Sequence, residues 1–482
     1  MKKKLLIAAS LFFLQTTNAQ VSGIEWQKSY GNYNANDIYM NVHGNASRNG
    51  LFFTQNYEVY PSPQYGILSK TTPAGILLWN KEFSQTNVEH ATKIYDIQPT
   101  AGGYVLAGGI VPTSNNDSFA KQGRMIKVDE NGNKLWTKNY PVSAGWDFIS
   151  MTKVIATQDN GFLLGGIIYK STDDSNFFIL KTDADGNEQW RKTFGGSKWD
   201  FLDDIALNAE GNFYLSGRTN SIDGDVSNGG NVTSSYATWA IKVSSTGTLL
   251  WENAFDGASH DYPYVRITDT ADNGCALIYM QTKNDTFGVE ITKFHSNGLL
   301  HWQNDYTPYS DFWNDLNIIK STNGQIVFGS GGIFIKGLNL NGNILWGWQN
   351  PDTTYALRNG ELVQTPDNGY LFTGKNVNES KIGAIKLAPY AVLSIQEGTS
   401  SVENEVYPNP SNGNFVINSK NGKISSIKVS DVSGKIVYTE TLTASKHQFN
   451  LENHLPEGVY FVEVLFENKK KETKKIIIKE SR

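Results

Sequence analysis

The stretch Ile126–Trp136 reads I-K-V-D-E-N-G-N-K-L-W. Asp, Asn and Gly in its middle tolerate the tight and left-handed conformations of a hairpin turn, and the β-branched and aromatic residues on either side favour strands. The stretch therefore predicts a β-hairpin that ends in Trp136. The same cassette returns as Ile179–Trp190 and Ile241–Trp251 and, more loosely, as Leu68–Trp79, Ile291–Trp302 and Ile335–Trp346.

Tryptophan marks the end of seven such cassettes. The seven residues lie 44 to 61 positions apart and are Trp26, Trp79, Trp136, Trp190, Trp251, Trp302 and Trp346. A second marker, a turn followed by an apolar strand as in Asp159–Gly166, recurs with the same period. A repeat of this length without helical periodicity is typical of a β-propeller, in which each repeat forms a four-stranded blade. The pattern predicts an all-β fold, with a seven-bladed β-propeller over residues 20–387 and the tryptophans packed between blades.

The ends of the repeat region predict how the ring closes. The seventh repeat stops at Leu387, one strand short, whereas Ile24–Ser29 is a single strand without a blade of its own. An open ring would expose two sheet edges to water and to other chains, and Cys275 is the sole cysteine, so no internal disulfide can close it. We therefore expect Ile24–Ser29 to pair antiparallel with Gly383–Leu387.

Residues 1–19 have the organisation of a secretory signal peptide. The basic start Lys2–Lys4 precedes the apolar stretch Leu5–Leu14, and Thr17–Ala19 supplies small residues before the predicted cleavage site. That apolar stretch is too short to span a bilayer, and no other transmembrane segment is predicted. The formal net charge of -5 argues against a nucleic-acid partner or an anionic membrane surface. We expect an exported protein.

The C-terminal part has a different composition and its own motifs. Residues 388–403 are predicted to be a linker, and residues 404–482 a small antiparallel β-sandwich. The motifs Tyr407-Pro-Asn-Pro, Asp431-Val-Ser-Gly-Lys, Gly458-Val-Tyr and a final basic-apolar strand resemble the type A C-terminal sorting domain of the type IX secretion system of Bacteroidetes. The motif positions are Pro408, Asn409, Pro410, Gly413, Asp431, Gly434, Gly458 and Tyr460.

This resemblance implies a partner and a destination. Type IX machinery would recognise the C-terminal domain, carry the protein across the outer membrane, and remove the domain at the surface. The mature protein would then be secreted or attached to a surface glycolipid. The tryptophan cassettes also resemble the secreted propeller repeats found ahead of this domain and, more distantly, the repeats of quinoprotein dehydrogenases.

One set of acidic residues recurs with the repeat. They lie 9 to 11 positions after the first six cassette tryptophans and are Asp37, Glu89, Asp147, Asp200, Asp261 and Asp311. Such residues often accept N–H groups of their own turn. Alternatively, the carboxylates form a ring at the channel mouth that binds a cation or polar ligand, or two of them hydrolyse glycosides, which requires carboxylates in distinct environments. Trp146 and Trp199 stand beside two of them, either packed between blades or available for sugar stacking.

Cofactor motifs are scarce. Asp223 and Asp225, in a long Gly- and Ser-rich loop, are calcium candidates, although a solvated loop is the simpler interpretation. The seven histidines lie at no recognised metal-ligand spacing, and no Gly-x-Ser-x-Gly nucleophile motif occurs. No other cofactor is expected.

The functional prediction is a secreted or cell-surface propeller that binds an unknown extracellular ligand, a glycan or a protein. One alternative is a propeller enzyme, either carbohydrate-active or a quinoprotein-like oxidoreductase. Another is a structural surface or gliding-related component. Buried, converging carboxylates or a cofactor-sized pocket at the propeller axis would favour an enzyme, whereas a channel lined by Ser, Thr and apolar residues would favour binding.

Overall fold

The computed structural model divides the chain into two compact units, unit 1 (Met1–Leu393) and unit 2 (Ser394–Arg482). The division falls inside the stretch predicted as a linker. The structure describes residues 23–30, 43–47, 50–57, 65–83, 90–112, 120, 122–170, 174–227, 236–255, 264–283, 286–306, 316–350, 357–358, 360–376, 378–379, 381–389, 405–409, 411–418, 423–431, 436–451, 455–467 and 471–479. The predicted signal peptide and most of the predicted linker lie outside these ranges.

Regular structure in the described ranges consists of β-strands, and these ranges contain no helix long and apolar enough to cross a bilayer. The strands of unit 1 are β1 (Ile24–Tyr30), β2 (His43–Ser47), β3 (Gly50–Tyr57), β4 (Tyr65–Thr71), β5 (Leu77–Phe83), β6 (His90–Thr100), β7 (Gly103–Pro112), β8 (Gln122–Asp129), β9 (Lys134–Pro141), β10 (Phe148–Ala156), β11 (Phe162–Tyr169), β12 (Ser175–Thr182), β13 (Glu188–Phe194), β14 (Asp200–Leu207), β15 (Phe213–Thr219), β16 (Ala237–Val243), β17 (Leu249–Phe255), β18 (Arg266–Asp269), β19 (Cys275–Lys283), β20 (Thr286–Phe294), β21 (Leu300–Asp305), β22 (Leu316–Lys320), β23 (Ile326–Ser330), β24 (Phe334–Leu338), β25 (Ile344–Gln349), β26 (Leu357–Arg358), β27 (Leu362–Gln364), β28 (Tyr370–Asn376) and β29 (Lys381–Leu387).

Consecutive strands pair antiparallel in groups of four that follow the sequence repeats. The strands β10–β13, β14–β17, β18–β21 and β22–β25 form separate four-stranded sheets. The groups β2–β5 and β6–β9 belong to one eight-stranded sheet, joined by a single parallel pair between Tyr65 and Thr92. The last sheet contains β26 to β29 together with β1. Serial four-stranded antiparallel sheets of this kind are the building plan of a β-propeller.

Six of the seven cassette tryptophans pack against the cassette turn of the following group, whereas Trp346 packs against the Tyr370 ring. Gly186 in one such turn has a φ of 76°, and a Cβ there would lie 2.8 Å from the Trp136 ring. The same arrangement places Trp251 on Gly298, and the Trp251 indole Nε1 donates a 3.1 Å hydrogen bond to the Ser296 carbonyl. The predicted packing between neighbouring repeats is therefore confirmed. Trp136 and Trp251 are half-buried because their strands are the outermost of each sheet.

The predicted closing pair is also present. Strand β1 is antiparallel to β29, with Gln27 opposite Ile385, Lys28 opposite Ala384 and Ser29 opposite Gly383. Trp26 packs on the turn of the next group, where its Nε1 donates a 3.2 Å hydrogen bond to the Pro73 carbonyl. The N-terminal strand thus supplies the outermost strand and the tryptophan that the last repeat lacks.

The first strands of successive groups lie side by side. Strand β2 contacts β6, and the series continues through β10, β14, β18 and β22 to β27. Strand β27 in turn contacts β2, so the order of neighbours returns to its starting point. Residues far apart in sequence are therefore brought together on the first strands.

Unit 2 contains two antiparallel sheets that share one apolar cluster. One sheet has β30 (Glu405–Tyr407), β31 (Asn414–Asn418) and β34 (Lys446–Asn450), and the other has β32 (Ile424–Asp431), β33 (Ile436–Ala444), β35 (Gly458–Phe466) and β36 (Lys471–Ile478). Phe415 and Phe449 from the first sheet and Val429 and Val462 from the second belong to the same buried cluster.

Two sorting-motif side chains have clear structural roles in unit 2. The Asn409 amide donates a 2.8 Å hydrogen bond to the Lys475 carbonyl, and its oxygen accepts one of 2.9 Å from the Ile477 N–H, so it holds β36. Tyr460 is buried, and its hydroxyl donates a 2.9 Å hydrogen bond to the Pro456 carbonyl. The motif positions Pro410 and Gly434 lie outside the described residues.

Candidate functional site

One register position on the first strands carries a polar or charged residue in every group. Asp96 faces Ala107 across the strand pair, Lys153 faces Gly165, and the corresponding pairs continue through the other groups. We call these residues the central ring: His43, Asp96, Lys153, Asp204, Arg266, Asn317 and Glu361. A pocket of about 270 Å³ is lined by six of them: Asp96, Lys153, Asp204, Arg266, Asn317 and Glu361.

Lys153 is the centre of an ion network in this pocket. Its ammonium lies 3.0 Å from Glu361 Oε1 and 3.4 Å from Asp204 Oδ1, and all three side chains are largely buried. Burial would lower the pKa of Lys153, but the charges of Asp204 and Glu361 outweigh it, so its pKa lies above the ordinary value. The pKa of Arg266 is raised in the same way, against burial, by Asp204 and Glu361. The two carboxylates therefore share two neighbouring cations.

The ring carboxylates also connect neighbouring groups through the main chain. Asp96 Oδ2 accepts a 2.8 Å hydrogen bond from the Val154 N–H of the next first strand. Asp204 Oδ2 accepts one of 3.1 Å from the Ile267 N–H in the same way. Because first strands are sheet edges, their N–H groups need such partners when buried. Part of the central ring is therefore structural.

A second group of side chains adjoins Arg266. The Arg218 guanidinium binds Asp203 through two hydrogen bonds of 3.2 Å. It also lies over the rings of Phe201, Tyr236 and Tyr264 at 5.0, 6.0 and 5.6 Å. Trp199 stacks on Phe201 with an interplanar angle of 8° and 5.5 Å between ring centroids. We name Trp199, Phe201, Arg218, Tyr236 and Tyr264 the aromatic cluster.

The charges beside the aromatic cluster interact with those of the central ring, and the cluster reaches the surface. The charge of Asp203 raises the pKa of Arg266 together with Asp204 and Glu361. Burial raises the pKa of Asp203 itself, even though Arg218 acts in the opposite direction. Tyr264 is 50% exposed, and Trp199 is half-buried. An aromatic surface thus lies beside a charged pocket.

Asp200, one of the six predicted carboxylates, is turned into its own repeat. It is fully buried, and its Oδ2 accepts hydrogen bonds of 2.8 Å from the Gly196 N–H and 3.0 Å from the Ser221 hydroxyl. The Thr219 hydroxyl donates to Oδ1. The Asp200 carboxylate therefore caps a turn of its own repeat and does not face a channel mouth.

Asp200 predicts a pH dependence of stability. Burial raises its pKa to about 6 despite the three donors, whereas an unfolded Asp titrates near about 3.9. The folded state therefore holds the proton more tightly, and stability is lost as the pH rises through about 4 to 6. The difference corresponds to roughly 2–3 kcal/mol. We expect Asp200→Asn to flatten the slope of unfolding free energy against pH in this window, measured by urea denaturation; an unchanged slope would contradict the assignment.

Two other predicted site residues, Asp147 and Trp146, belong to a different repeat from Asp200. Asp147 is exposed, and Trp146 is half-buried with the Lys170 ammonium 4.6 Å above its ring. Trp146 packs against an apolar cluster shared by two neighbouring repeats, which includes Met125 and Tyr140 of one and Ile149 and Met151 of the other. Four predicted carboxylates lie outside the described residues: Asp37, Glu89, Asp261 and Asp311.

The calcium candidates bind the neighbouring glycine turn. Asp223 Oδ1 accepts a 2.8 Å hydrogen bond from the Ser197 N–H, and Asp225 Oδ2 accepts one of 3.1 Å from the Gly195 N–H. Their carboxylates therefore already have main-chain partners. Calcium binding there stays a prediction.

Sequence reasoning missed the central ring, although a signal for it exists. Its residues stand seven or nine positions before the first residue of the next strand, as Asp96 does before Gly103 and Lys153 before Phe162. The residue type changes from repeat to repeat, so no motif is visible. Alignment of the repeats on the marker strand would have shown a polar position in an otherwise apolar strand.

Comparison with known proteins identifies the C-terminal part. Residues 405–479 match the secretion system C-terminal sorting domain. No curated protein matches the chain significantly. The sorting domain indicates recognition by a type IX system, with export to the cell surface or secretion.

The chain is also similar to several solved structures. BamB from Moraxella catarrhalis is 15% identical, with a TM-score of 0.41 over 74% of this chain and 87% of that chain. PorZ, a surface component of the type IX secretion system of Porphyromonas gingivalis, is 12% identical, with a TM-score of 0.37 over 91% and 70%. The WD40 domain of Toxoplasma gondii coronin is 10% identical, with a TM-score of 0.49 over 78% and 87%.

The propeller architecture follows from the strand pairing within this chain. The four-stranded groups and their tryptophan contacts identify the fold of unit 1, and the sorting domain identifies the C-terminal part of the chain. The chain is a β-propeller protein with a type IX secretion sorting domain at its C-terminal end.

Proposed function

We propose that this chain is a secreted or cell-surface binding protein with a seven-bladed propeller, and that the propeller binds a glycan on the aromatic cluster. The observation that carries the proposal is the stack of Trp199 on Phe201 beside the half-exposed Tyr264. Aromatic faces next to fixed polar groups are suited to sugar rings, which present apolar faces and hydroxyl edges.

The proposed architecture has three parts. Residues 1–19 are a signal peptide, residues 20–387 a closed seven-bladed ring, and residues 404–482 a sorting β-sandwich behind a linker. The cyclic order of first strands and the pairing of β1 with β29 support the ring. The shared apolar cluster of the two C-terminal sheets supports the sandwich.

The charged pocket supports binding rather than glycoside hydrolysis. Asp204 and Glu361 do converge, but both contact the ammonium of Lys153. Acid–base hydrolysis needs one carboxyl group protonated and the other ionised, hence two different environments. Asp204 and Glu361 share the same two cations, Lys153 and Arg266, so their environments lack that difference.

A glycan array with the full mature chain tests the proposal. We expect Trp199→Ala and Tyr264→Ala each to weaken binding of the recognised glycan at least tenfold, because each removes a stacking face. Trp146→Ala is the matched control, since Trp146 lies against another repeat and outside the aromatic cluster. Thermal unfolding of each variant shows whether the fold is kept.

Three outcomes would contradict glycan binding at this cluster. They are an array without any bound glycan, full binding by Trp199→Ala and Tyr264→Ala, and an equal loss in Trp146→Ala. Turnover of a bound glycan would instead establish the enzyme alternative, and self-association without glycan binding would favour a structural role.

A further inference from the structure

The hairpin between β20 and β21 differs from its sister hairpins at the first turn position. In the other hairpins this position is Thr72, Asp129, Asp183, Ser244 or Asn339, and its side chain accepts turn N–H groups. Here it is His295, whose main chain makes the same turn, with a 2.8 Å hydrogen bond from its N–H to the Leu299 carbonyl. Asn297 takes over the capping, since its Oδ1 accepts the Leu299 N–H at 3.1 Å.

A second departure occurs in the same hairpin, at the position before the cassette tryptophan. Four repeats carry leucine there, at Leu78, Leu135, Leu250 and Leu345. In this repeat the residue is His301, and its ring stacks on His295 with 4.3 Å between centroids and an interplanar angle of 23°. Two unusual residues of one repeat are therefore in direct contact.

A carboxylate completes the group. Asp272, from the turn before β19, places an oxygen within 4.8 Å of a ring nitrogen of each histidine. The two ring nitrogens also lie within 4.8 Å of each other. Two imidazoles and one carboxylate form a donor set suited to zinc, copper or nickel. Atoms bound to one zinc ion lie roughly 3–3.5 Å apart in tetrahedral geometry. The exposed Asp272 and His295 side chains would need to close by about 1 Å.

We propose that Asp272, His295 and His301 bind one divalent transition-metal ion of the zinc class. Three protein ligands would leave the fourth position to water or to a group of a ligand. The site lies outside the aromatic cluster and does not depend on glycan binding.

Lys293 explains how the ligands are held without a metal. It is fully buried, and its ammonium lies 2.6 Å from Asp272 Oδ2 and 3.2 Å from His301 Nδ1. In a sister repeat, Lys181 contacts Asp159 and Gln189 in the same way. Contact with the lysine therefore explains why position 301 carries a hydrogen-bond acceptor. It does not explain why position 295 carries a histidine. A metal would compete with this ammonium for the same lone pairs.

Zinc titration of the full mature chain by calorimetry at pH 7.5 tests the proposal, with sister repeats supplying the variants. His295→Ser copies Ser244, and His301→Gln copies Gln189, which keeps an acceptor for the lysine. We expect one zinc ion per chain, at least tenfold weaker binding in both variants, and unchanged thermal unfolding without metal. Lys293→Met should bind zinc at least tenfold more tightly, because the competing ammonium is gone.

The measurement can also overturn the site. Equal zinc affinity in the wild type, His295→Ser and His301→Gln would place the bound metal at other histidines. Absence of binding by both the wild type and Lys293→Met would exclude the site altogether. If Lys293→Met does not fold, the two histidine variants decide the matter alone.

Discussion

A chain that begins at Gly31 instead of Gln20 is expected to lose most of its stability and to aggregate. It lacks β1, so β29 becomes an open edge and the turn at Gly75 loses the Trp26 ring. Lys386, which is almost fully buried, also loses its contact with Glu25 at 3.2 Å. Removal of a fully buried tryptophan costs about 3–5 kcal/mol, so the half-buried Trp26 ring alone should contribute less than this to a typical total of about 5–15 kcal/mol.

The measurement is urea denaturation combined with light scattering at equal protein concentration. Trp26→Ala in the longer chain is the control, because it keeps the strand and removes only the ring. We expect an intermediate loss of stability without aggregation. A chain from Gly31 that unfolds at the same urea concentration as the chain from Gln20 would show that β1 does not close the sheet.

Lys153→Met is expected to destabilise unit 1 by about 3–5 kcal/mol, the usual cost of removing one partner from a buried ion pair. The substitution leaves the neighbouring Asp204 and Glu361 carboxylates without their shared ammonium. Adding Glu361→Gln should restore part of the loss.

Lys320→Met is the matched control for Lys153→Met. Lys320 pairs with Asp269, but its side chain is 32% exposed, and partly exposed pairs contribute about 1 kcal/mol or less. Equal losses in the two variants would show that the central network has no special importance for stability.

The sheet pattern could be predicted because its signals are local. The Asp129–Asn133 turn and the apolar residues beside it specify a hairpin without reference to the rest of the chain. Ring closure was also predictable, because a strand missing at Leu387 is matched by an extra strand at Ile24. Both conclusions required only the order of elements along the chain.

The central ring could not be predicted in this way, because it exists only after closure. Lys153 and Glu361 are 208 positions apart and meet through the neighbour relations of the first strands. Lys153 and Glu361 have opposite charges because they contact each other, so the residue type at this position varies between repeats. The burial of Asp200 likewise depends on Thr219 at the end of β15 and on Ser221 two residues later.

The histidine pair shows a limit of spacing rules. A separation of six residues between His295 and His301 fits no familiar metal motif. A bulge at Lys293/Phe294 in the β20–β21 pair shifts the register, and the hairpin then places both rings on the same side. An alignment of the repeats would have shown that His295 and His301 differ from their counterparts. It would not have shown that the two rings are in contact.

A disulfide cross-link between β1 and β29 tests the closed ring most directly. Cys275 is buried, so an introduced pair of cysteines can react without competition from an exposed thiol. Lys28 and Ala384 are opposite each other, and opposite residues in antiparallel strands are close enough for a disulfide. We expect Lys28→Cys with Ala384→Cys to give a cross-linked peptide on oxidation, detected by mass spectrometry. Lys28→Cys with Ile385→Cys should not, because a shift of one residue places the second thiol on the other face. No cross-link in the first pair, or an equal yield in both, would contradict the closed ring.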